Sequence, residues 1–226
     1  MTMNRFTKLL TYMLDLPKSV WFNFHYLPLK QAIKLPIWIS HNVKISSAKG
    51  KVSIADDSVS RSITIGVFEG SFCTSSKRGW LNLTEDSVVI FKGTANIAKG
   101  GMVEVNGGKL TFGDNFFANA NFLCSCSTSI DFGENALIGW NVTVIDGDGH
   151  SIINCSTGQR VNSPKPIAIG RNVWLSANVT VLKGSEIAKG CVVGTGSIVA
   201  GKILTEKALI VGQPARVVRE NIEWNV

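Results

Sequence analysis

The dominant pattern of apolar and polar positions along the chain has a period of six. Apolar residues fall at Ile169, Leu175, Val181, Ile187, Val193 and Val199, and the residue after each is small or compact in most cases: Gly170, Ser176, Leu182, Ala188, Gly194, Ala200. The same beat runs through Phe132, Ile138 and Val144 and includes Phe112. It continues less cleanly upstream through Val103, Ile97 and Phe91. Six is neither the 3.6 of a helix nor the 2 of a simple strand, although short runs such as "NVTVID" and "SITIG" alternate as strands do. A six-residue beat of this kind predicts an all-β chain wound as a parallel β-helix of hexapeptide repeats. Each hexapeptide supplies one short strand and one corner, and three of them close a triangular coil. The apolar residue fills the prism, while Gly and Asn permit the positive φ of tight corners. Gly133, Asn135, Gly139, Asn141, Gly170 and Asn172 are therefore predicted corners. Stacked coils then pair their backbone groups with the coils above and below.

The beat is broken twice. Between 112 and 132 the count slips by two, which predicts a bulged corner near Cys124–Ile130 with small residues filling the interior. After Val144 the beat stops, and it resumes near Ile167, so residues 145–166 are expected to leave the coil as a loop. Long irregular loops in compact domains tend to be functional. This one contains "VIDGDGHSI", with His150, one of three histidines; the others, His25 and His41, lie near the start of the chain.

These patterns divide the chain into a cap segment at 1–45, a β-helix at 46–208 and a tail at 209–226. In the cap, Phe6, Leu9, Leu10, Met13 and Leu14 have helical spacing, and the helix is expected to end at Pro17. An aromatic, basic stretch with Trp21, Phe22, Phe24, Tyr26 and Trp38 follows. Residues 1–40 suit two compatible roles: covering the first coil, whose open end needs protection, or touching an anionic lipid surface. In the tail, Pro214 followed by "ARVVRENI" predicts a short helix with proline in its first turn.

Charge and cysteine content narrow the function. The net charge of +7 suggests nucleic acid until it is located. Residues 1–51 hold eight of the 23 Lys/Arg against one of the sixteen acids, so the remaining fifteen of each sign cancel. The basic character belongs to the head, and no nucleic-acid partner is expected. The odd set of Cys73, Cys124, Cys126, Cys155 and Cys191 has no framework spacing, and no signal-peptide pattern is read before it. Reduced thiols and a cytoplasmic location follow, at the inner face of the membrane if the head touches lipid. No apolar run approaches the ~20 residues of a membrane span. With one histidine in the repeat body no metal site is expected, the zinc site of γ-class carbonic anhydrases included.

Two stretches carry a resemblance. "IGRNVWLSANVTVLKGSEIAKGCVVGTGSIVAGKI" (169–203) followed by "LIVGQPARVVRE" (209–220) resembles the hexapeptide-repeat acyltransferases. "GENALIGWNVTVIDGDGHSI" (133–152) is similar to the sugar O-acetyltransferases of capsule, O-antigen and exopolysaccharide biosynthesis. This resemblance spans about residues 88–220. It implies a left-handed β-helix, a homotrimer with active sites between subunits, acetyl-CoA as co-substrate and a sugar or glycan acceptor. It also implies that His150 is the general base. A sugar hydroxyl is a poor nucleophile, and imidazole titrates near neutrality, so the role suits the residue. Asp148 and Asp146 are candidates to orient the ring, Asp148 preferred.

The family's corner after its "VWIG" motif reads Val173-Trp174-Leu175-Ser176 here. It implies an oxyanion donor at the backbone of Ser176 or Ala177 and places Trp174 at the acyl end. Gly194, Thr195 and Gly196 match the close approach of the pantetheine arm; Arg216, in "GQPAR", matches a phosphate contact, and the family's second basic contact is displaced here to Lys202 by "AG". Asn119, within "NFFANANF", matches an acceptor-binding asparagine. Cys126 stands where maltose and galactoside enzymes carry an acceptor-binding aspartate, a departure from simple maltose-type recognition. The alternatives are an acetyltransferase of a small molecule (an antibiotic, an amino-sugar amine or serine) and, further off, a non-catalytic β-helix scaffold.

Overall fold

A computed structural model describes residues 5–70 and 75–225, with side chains from residue 9 onward; Phe6 and Cys73 thus fall outside the described side chains. Twenty-three short strands among these residues form three sheets of nine, seven and seven strands. Successive strands join the first, second and third sheet in turn, and all sheet pairs but the last are parallel. The chain is a left-handed parallel β-helix, a three-sided prism of stacked coils.

The six-residue beat is the prism interior. From Ile169 to Val199 none of the six beat residues is more than 2% exposed, and Phe132, Ile138 and Val144 are fully buried. Upstream, Phe91, Phe112 and Phe132 stack with centroids 5.0 and 5.7 Å apart. Such pairs add about 0.5–1.5 kcal/mol each beyond area burial. Cys124 and Cys126 also point inward, and burial pushes the Cys126 thiol up to about 12. They fill space as neutral thiols.

Corners behave as the small and polar residues predict. Asn115, Asn135 and Asn172 all have φ near +54°, between 53° and 54°, and their amides form a ladder with two bonds of 2.9 Å. Asn121, Asn141 and Asn178 form a second ladder at the next corner, with bonds of 2.9 and 3.1 Å. Gly133 is glycine because coils approach closely there: a Cβ would lie 2.5 Å from the Arg171 nitrogen.

Both breaks in the beat fall at the corner between the second and third sheets. Ser127 and Thr128, between strands 123–126 and 129–132, are the two extra residues of the bulged corner. One coil later, strand Thr143–Ile145 ends and strand Ile167–Ile169 begins, so residues 146–166 project from that same corner.

The cap differs from expectation in one respect. Helix α1 (Arg5–Tyr26) runs through Pro17, and a short α2 (Leu29–Ala32) follows. An interior proline costs ~3 kcal/mol or more. Contacts beyond it offset that cost, because the second half of α1 is bonded to the first strand, Ile37–Ile39. Asp15, Ser19 and Asn23, one turn apart, meet successive edge residues of that strand and the turn after it. Asn23 accepts the Ile37 N–H at 3.1 Å and donates to the Ile37 carbonyl at 2.6 Å. Ser19 Oγ accepts the Ile39 N–H at 2.9 Å, and Asp15 Oδ1 accepts the His41 N–H at 2.7 Å. A helix face thus stands in for the missing coil.

The tail corrects a second expectation. Among the described residues of the tail, 209–225, there is no helix: Leu209–Gly212 and Ala215–Arg219 pair antiparallel at the end of the first sheet. Ala215 and Val217 turn inward at a spacing of two, and the returning strand satisfies the last coil's edge, which a helix would have left open. Val218, which a tail helix would have packed back on the coils beside Val217, is 56% exposed.

Replacing Asn23 with Ala leaves the Ile37 edge groups unpaired and is expected to lower unfolding free energy by about 1–3 kcal/mol. Leu10→Ser, on the outer side of α1, is expected to change it by less than about 0.5 kcal/mol. Urea unfolding of the two variants measures the contrast.

Candidate functional site

The outward positions of the first sheet carry an apolar column, Phe117, Leu137, Trp174 and Val192 in direct register. A groove of roughly 800 Å³ lies over this column. The ladder of Asn115, Asn135 and Asn172 forms one wall, and Trp140 and Asn178 form the other. Trp224 reaches in from the tail, donates Nε1–H to the Asn172 carbonyl at 2.9 Å, and lies 6.0 Å from the Trp174 ring.

Five of the candidate site residues line this groove, Asn119, Trp174, Ser176, Ala177 and Thr195. The structure separates the two oxyanion-donor candidates. The Ser176 N–H is already donated to the Val193 carbonyl at 2.9 Å, as coil stacking requires. The Ala177 N–H has no acceptor among the described residues, while its carbonyl takes the Gly196 N–H at 3.0 Å. Gly139 permits the approach of this corner, since a Cβ there would sit 2.7 Å from the Ala177 nitrogen. Gly194 and Gly196 flank Thr195 at the end of the groove. Arg216 is exposed on the hairpin that ends the same sheet, and its Nη1 donates to the Ala215 carbonyl at 2.8 Å. Lys202 is elsewhere, on the third sheet, paired with Glu186 at 2.9 Å.

The extruded loop is anchored by its acids. Asp146 is fully buried and closes the bulged corner, accepting the Ser127 and Thr128 N–H groups at 2.7 Å each and the Thr128 hydroxyl at 2.9 Å. Its oxygens are committed there, and none of these bonds reaches the His150 ring. Asp148 Oδ2 accepts from Lys183 and, at 2.8 Å, from the Asn162 amide. Asn162 also donates to the His150 carbonyl at 2.7 Å and accepts the Ile152 N–H at 2.7 Å. Lys183 completes the knot by donating to the Asn162 carbonyl at 3.1 Å. His150 itself is exposed beside this network.

Topology fixes how the two parts relate. The groove covers the first sheet. His150 leaves the corner between the second and third sheets, which in a three-sided prism is the corner opposite that face. His150 does not line the groove.

Asn162, Lys183 and Trp224 were not singled out from the sequence, nor were Phe117, Leu137 and Val192 of the apolar column. A signal existed for the groove wall: both asparagine ladders repeat at intervals of 20 and then 37 residues. No comparable signal marks Asn162, Lys183 or Trp224, each brought in by tertiary contact alone. Among the described residues no cluster of three metal-ligating side chains occurs.

The class that this architecture defines is the hexapeptide-repeat β-helix. Among solved structures, the chain resembles the polySia-specific acetyltransferase NeuO, with a TM-score of 0.67 and 23% identity, over 83% of this chain and 74% of that one. No family model matches the chain. Curated relatives are named acetyltransferases, several of them O-acetyltransferases. The chain is 34% identical over 114 residues to a galactoside O-acetyltransferase of Escherichia coli K12, covering 50% of this chain and 55% of the relative. It is 33% identical over 121 residues to the putative lipopolysaccharide biosynthesis O-acetyl transferase WbbJ of the same strain, covering 50% and 61%. It is 28% identical over 127 residues to a polysialic acid O-acetyltransferase of E. coli O1:K1, covering 56% and 41%. The chain spans about half the length of the curated relatives it matches. These names agree with the resemblance carried by the motifs.

Hydrogen bonds from Lys183 and Asn162, followed by the Lys183 and Arg160 charges, hold the Asp148 carboxyl below its usual range. Its ionised form therefore supports the folded loop above the ordinary carboxylate pKa, and that support is lost as pH falls through the lowered folded value. Lys183→Met is expected to raise the Asp148 pKa towards the ordinary value, so that the loop loosens at a higher pH. NMR titration of the Asp148 side chain reads the shift; an unchanged midpoint would refute the anchoring role.

Proposed function

We propose that the chain transfers an acetyl group from acetyl-CoA to a sugar hydroxyl of a glycan or its precursor, in a site shared between copies of a homotrimer. The observation that carries this is the opposition of groove and loop. The loop that carries His150 leaves the prism at the corner opposite the groove's face, and His150 does not line the groove; a neighbouring copy would bring one copy's His150 to the other's groove. Closed cyclic assembly supplies that geometry for every copy at once.

The chemistry follows from the groups available. The His150 imidazole takes the proton of the sugar hydroxyl as its oxygen attacks the thioester carbonyl. The carbonyl becomes a tetrahedral oxyanion, which the unused Ala177 N–H receives. Collapse breaks the carbon–sulfur bond, and the imidazolium returns its proton to the CoA thiolate. The products are the acetyl ester and free CoA thiol, and no covalent enzyme intermediate is required. Asp148 remains the candidate to orient the ring. Trp174 packs at the acyl end, Gly194, Thr195 and Gly196 accommodate the pantetheine arm, and Asn119 contacts the acceptor. Arg216, with no carboxylate partner among the described residues, meets the CoA phosphates; Lys202 would have to exchange Glu186 for phosphate to do so. Relatives named for galactoside, lipopolysaccharide and polysialic acid support a glycan acceptor.

Release of CoA thiol from acetyl-CoA in the presence of oligosaccharide acceptors tests the mechanism. His150→Ala is expected to lower kcat by about 10²–10⁴-fold without altering the thermal melt. Wild-type turnover in this variant would remove His150 from the chemistry.

A further inference from the structure

Helix α1 is polar where it meets the protein and apolar where it meets water. Its buried face carries Asp15, Ser19 and Asn23 beside Phe22, because the edge of the first strand needs hydrogen-bonding side chains. Leu9, Leu10, Met13, Leu14, Trp21 and Phe24 point the other way, between 47% and 61% exposed. At 3.6 residues per turn they cover a continuous arc of about 140°. Leu29 and Ile33, 67% and 63% exposed, extend the surface past the helix end. Surface helices ordinarily show the reverse polarity, and single exposed apolar residues need no explanation, whereas a contiguous patch does.

The charges around the arc are of one sign. Asp15 is the only acid in residues 1–51; it is 1% exposed and bound to His41. Lys30, Lys34, Lys44, Lys49 and Lys51 are all exposed. Beside Trp21, Lys44 and Arg78 line a recess of roughly 550 Å³. Asp56 accepts a bond from Gln31 at the far end of the cap.

We propose that this outward arc of α1 docks the chain on an anionic lipid surface, with the aromatic and aliphatic side chains at the acyl boundary and the lysines among the headgroups. Charge complementarity selects lipid over a second copy, whose arc carries the same cations and would be repelled. The helix lies in the interface and does not cross it, since no described helix is long and apolar enough to span a membrane; such helices sit ~5–10 Å deep. Each basic group near the surface strengthens attachment, and salt screens it. The inference is independent of the acetyl-transfer reading.

Flotation of the full chain with phosphatidylcholine vesicles, with and without phosphatidylglycerol, tests it. The chain is expected to float with the anionic vesicles only and to be released by about 0.5 M salt. Leu10→Glu/Met13→Glu is expected to reduce binding by about tenfold or more, with an unchanged thermal melt. Lys44→Glu/Arg78→Glu, which leaves the arc intact, is also expected to weaken binding and serves if the first variant misfolds. Failure to bind anionic vesicles, equal binding to neutral ones, or full binding by the variants overturns the proposal. So does an arc variant that changes only the assembly size in sedimentation equilibrium, which would assign the face to a second copy.

Discussion

Each coil of the prism depends for its backbone hydrogen bonds on the coil above and the coil below. The strands are two to six residues long, too short to be stable alone, so order propagates by stacking. That dependence makes the two ends the vulnerable places, and the chain closes each differently. At the start, Asp15, Ser19 and Asn23 imitate the missing coil with side chains, and Lys18 donates to the carbonyls of His41 at 2.7 Å and Val43 at 2.6 Å. At the finish, the first sheet folds its own last strand back antiparallel. The same requirement explains why α1 tolerates Pro17 and why its apolar residues face outward. The edge of a strand takes hydrogen bonds, not methyl groups.

Stacking also determines what is left for chemistry. A backbone N–H engaged between coils is spent, as at Ser176, and a free one stands out, as at Ala177. Likewise a corner that bulges has to be closed, and Asp146 spends its carboxylate doing so. The loop that carries His150 emerges where extra residues had already accumulated in the preceding coil, at Ser127 and Thr128. An insertion there disturbs only a corner. Its price is position: the loop projects from the corner opposite the face that holds the groove.

Much of this was legible in the residues. The six-residue beat identified the prism interior correctly from Phe91 to Val199, and the asparagines and glycines identified its corners. The slip of two was placed at the right corner because an interior position every six residues leaves no other place for extra chain. The cap was legible as helix but not in extent, since Pro17 was weighed as a local breaker and the tertiary bonds of Asn23 override it. The tail was misread as helix because Pro214 suits a first turn. The alternation of Ala215 and Val217 was the better guide, and an exposed sheet edge favoured it. Of the candidate residues, Asn119, Trp174, Ser176, Ala177 and Thr195 line the groove because the coil frame sets them there, while Asn162, Lys183 and Trp224 depend on contacts that no local pattern announces.

The central claim is that His150 of one copy serves the groove of another, and mixed assembly tests it most directly. One chain carries His150→Ala; the other carries Thr195→Trp, which fills the groove at an exposed position. Each alone is expected to be inactive. Unfolded together and refolded as an equal mixture, they should regain about a quarter of wild-type CoA release, because that share of interfaces pairs an intact histidine with an intact groove. A mixture no more active than its separate components would contradict a shared site and return His150 to its own chain.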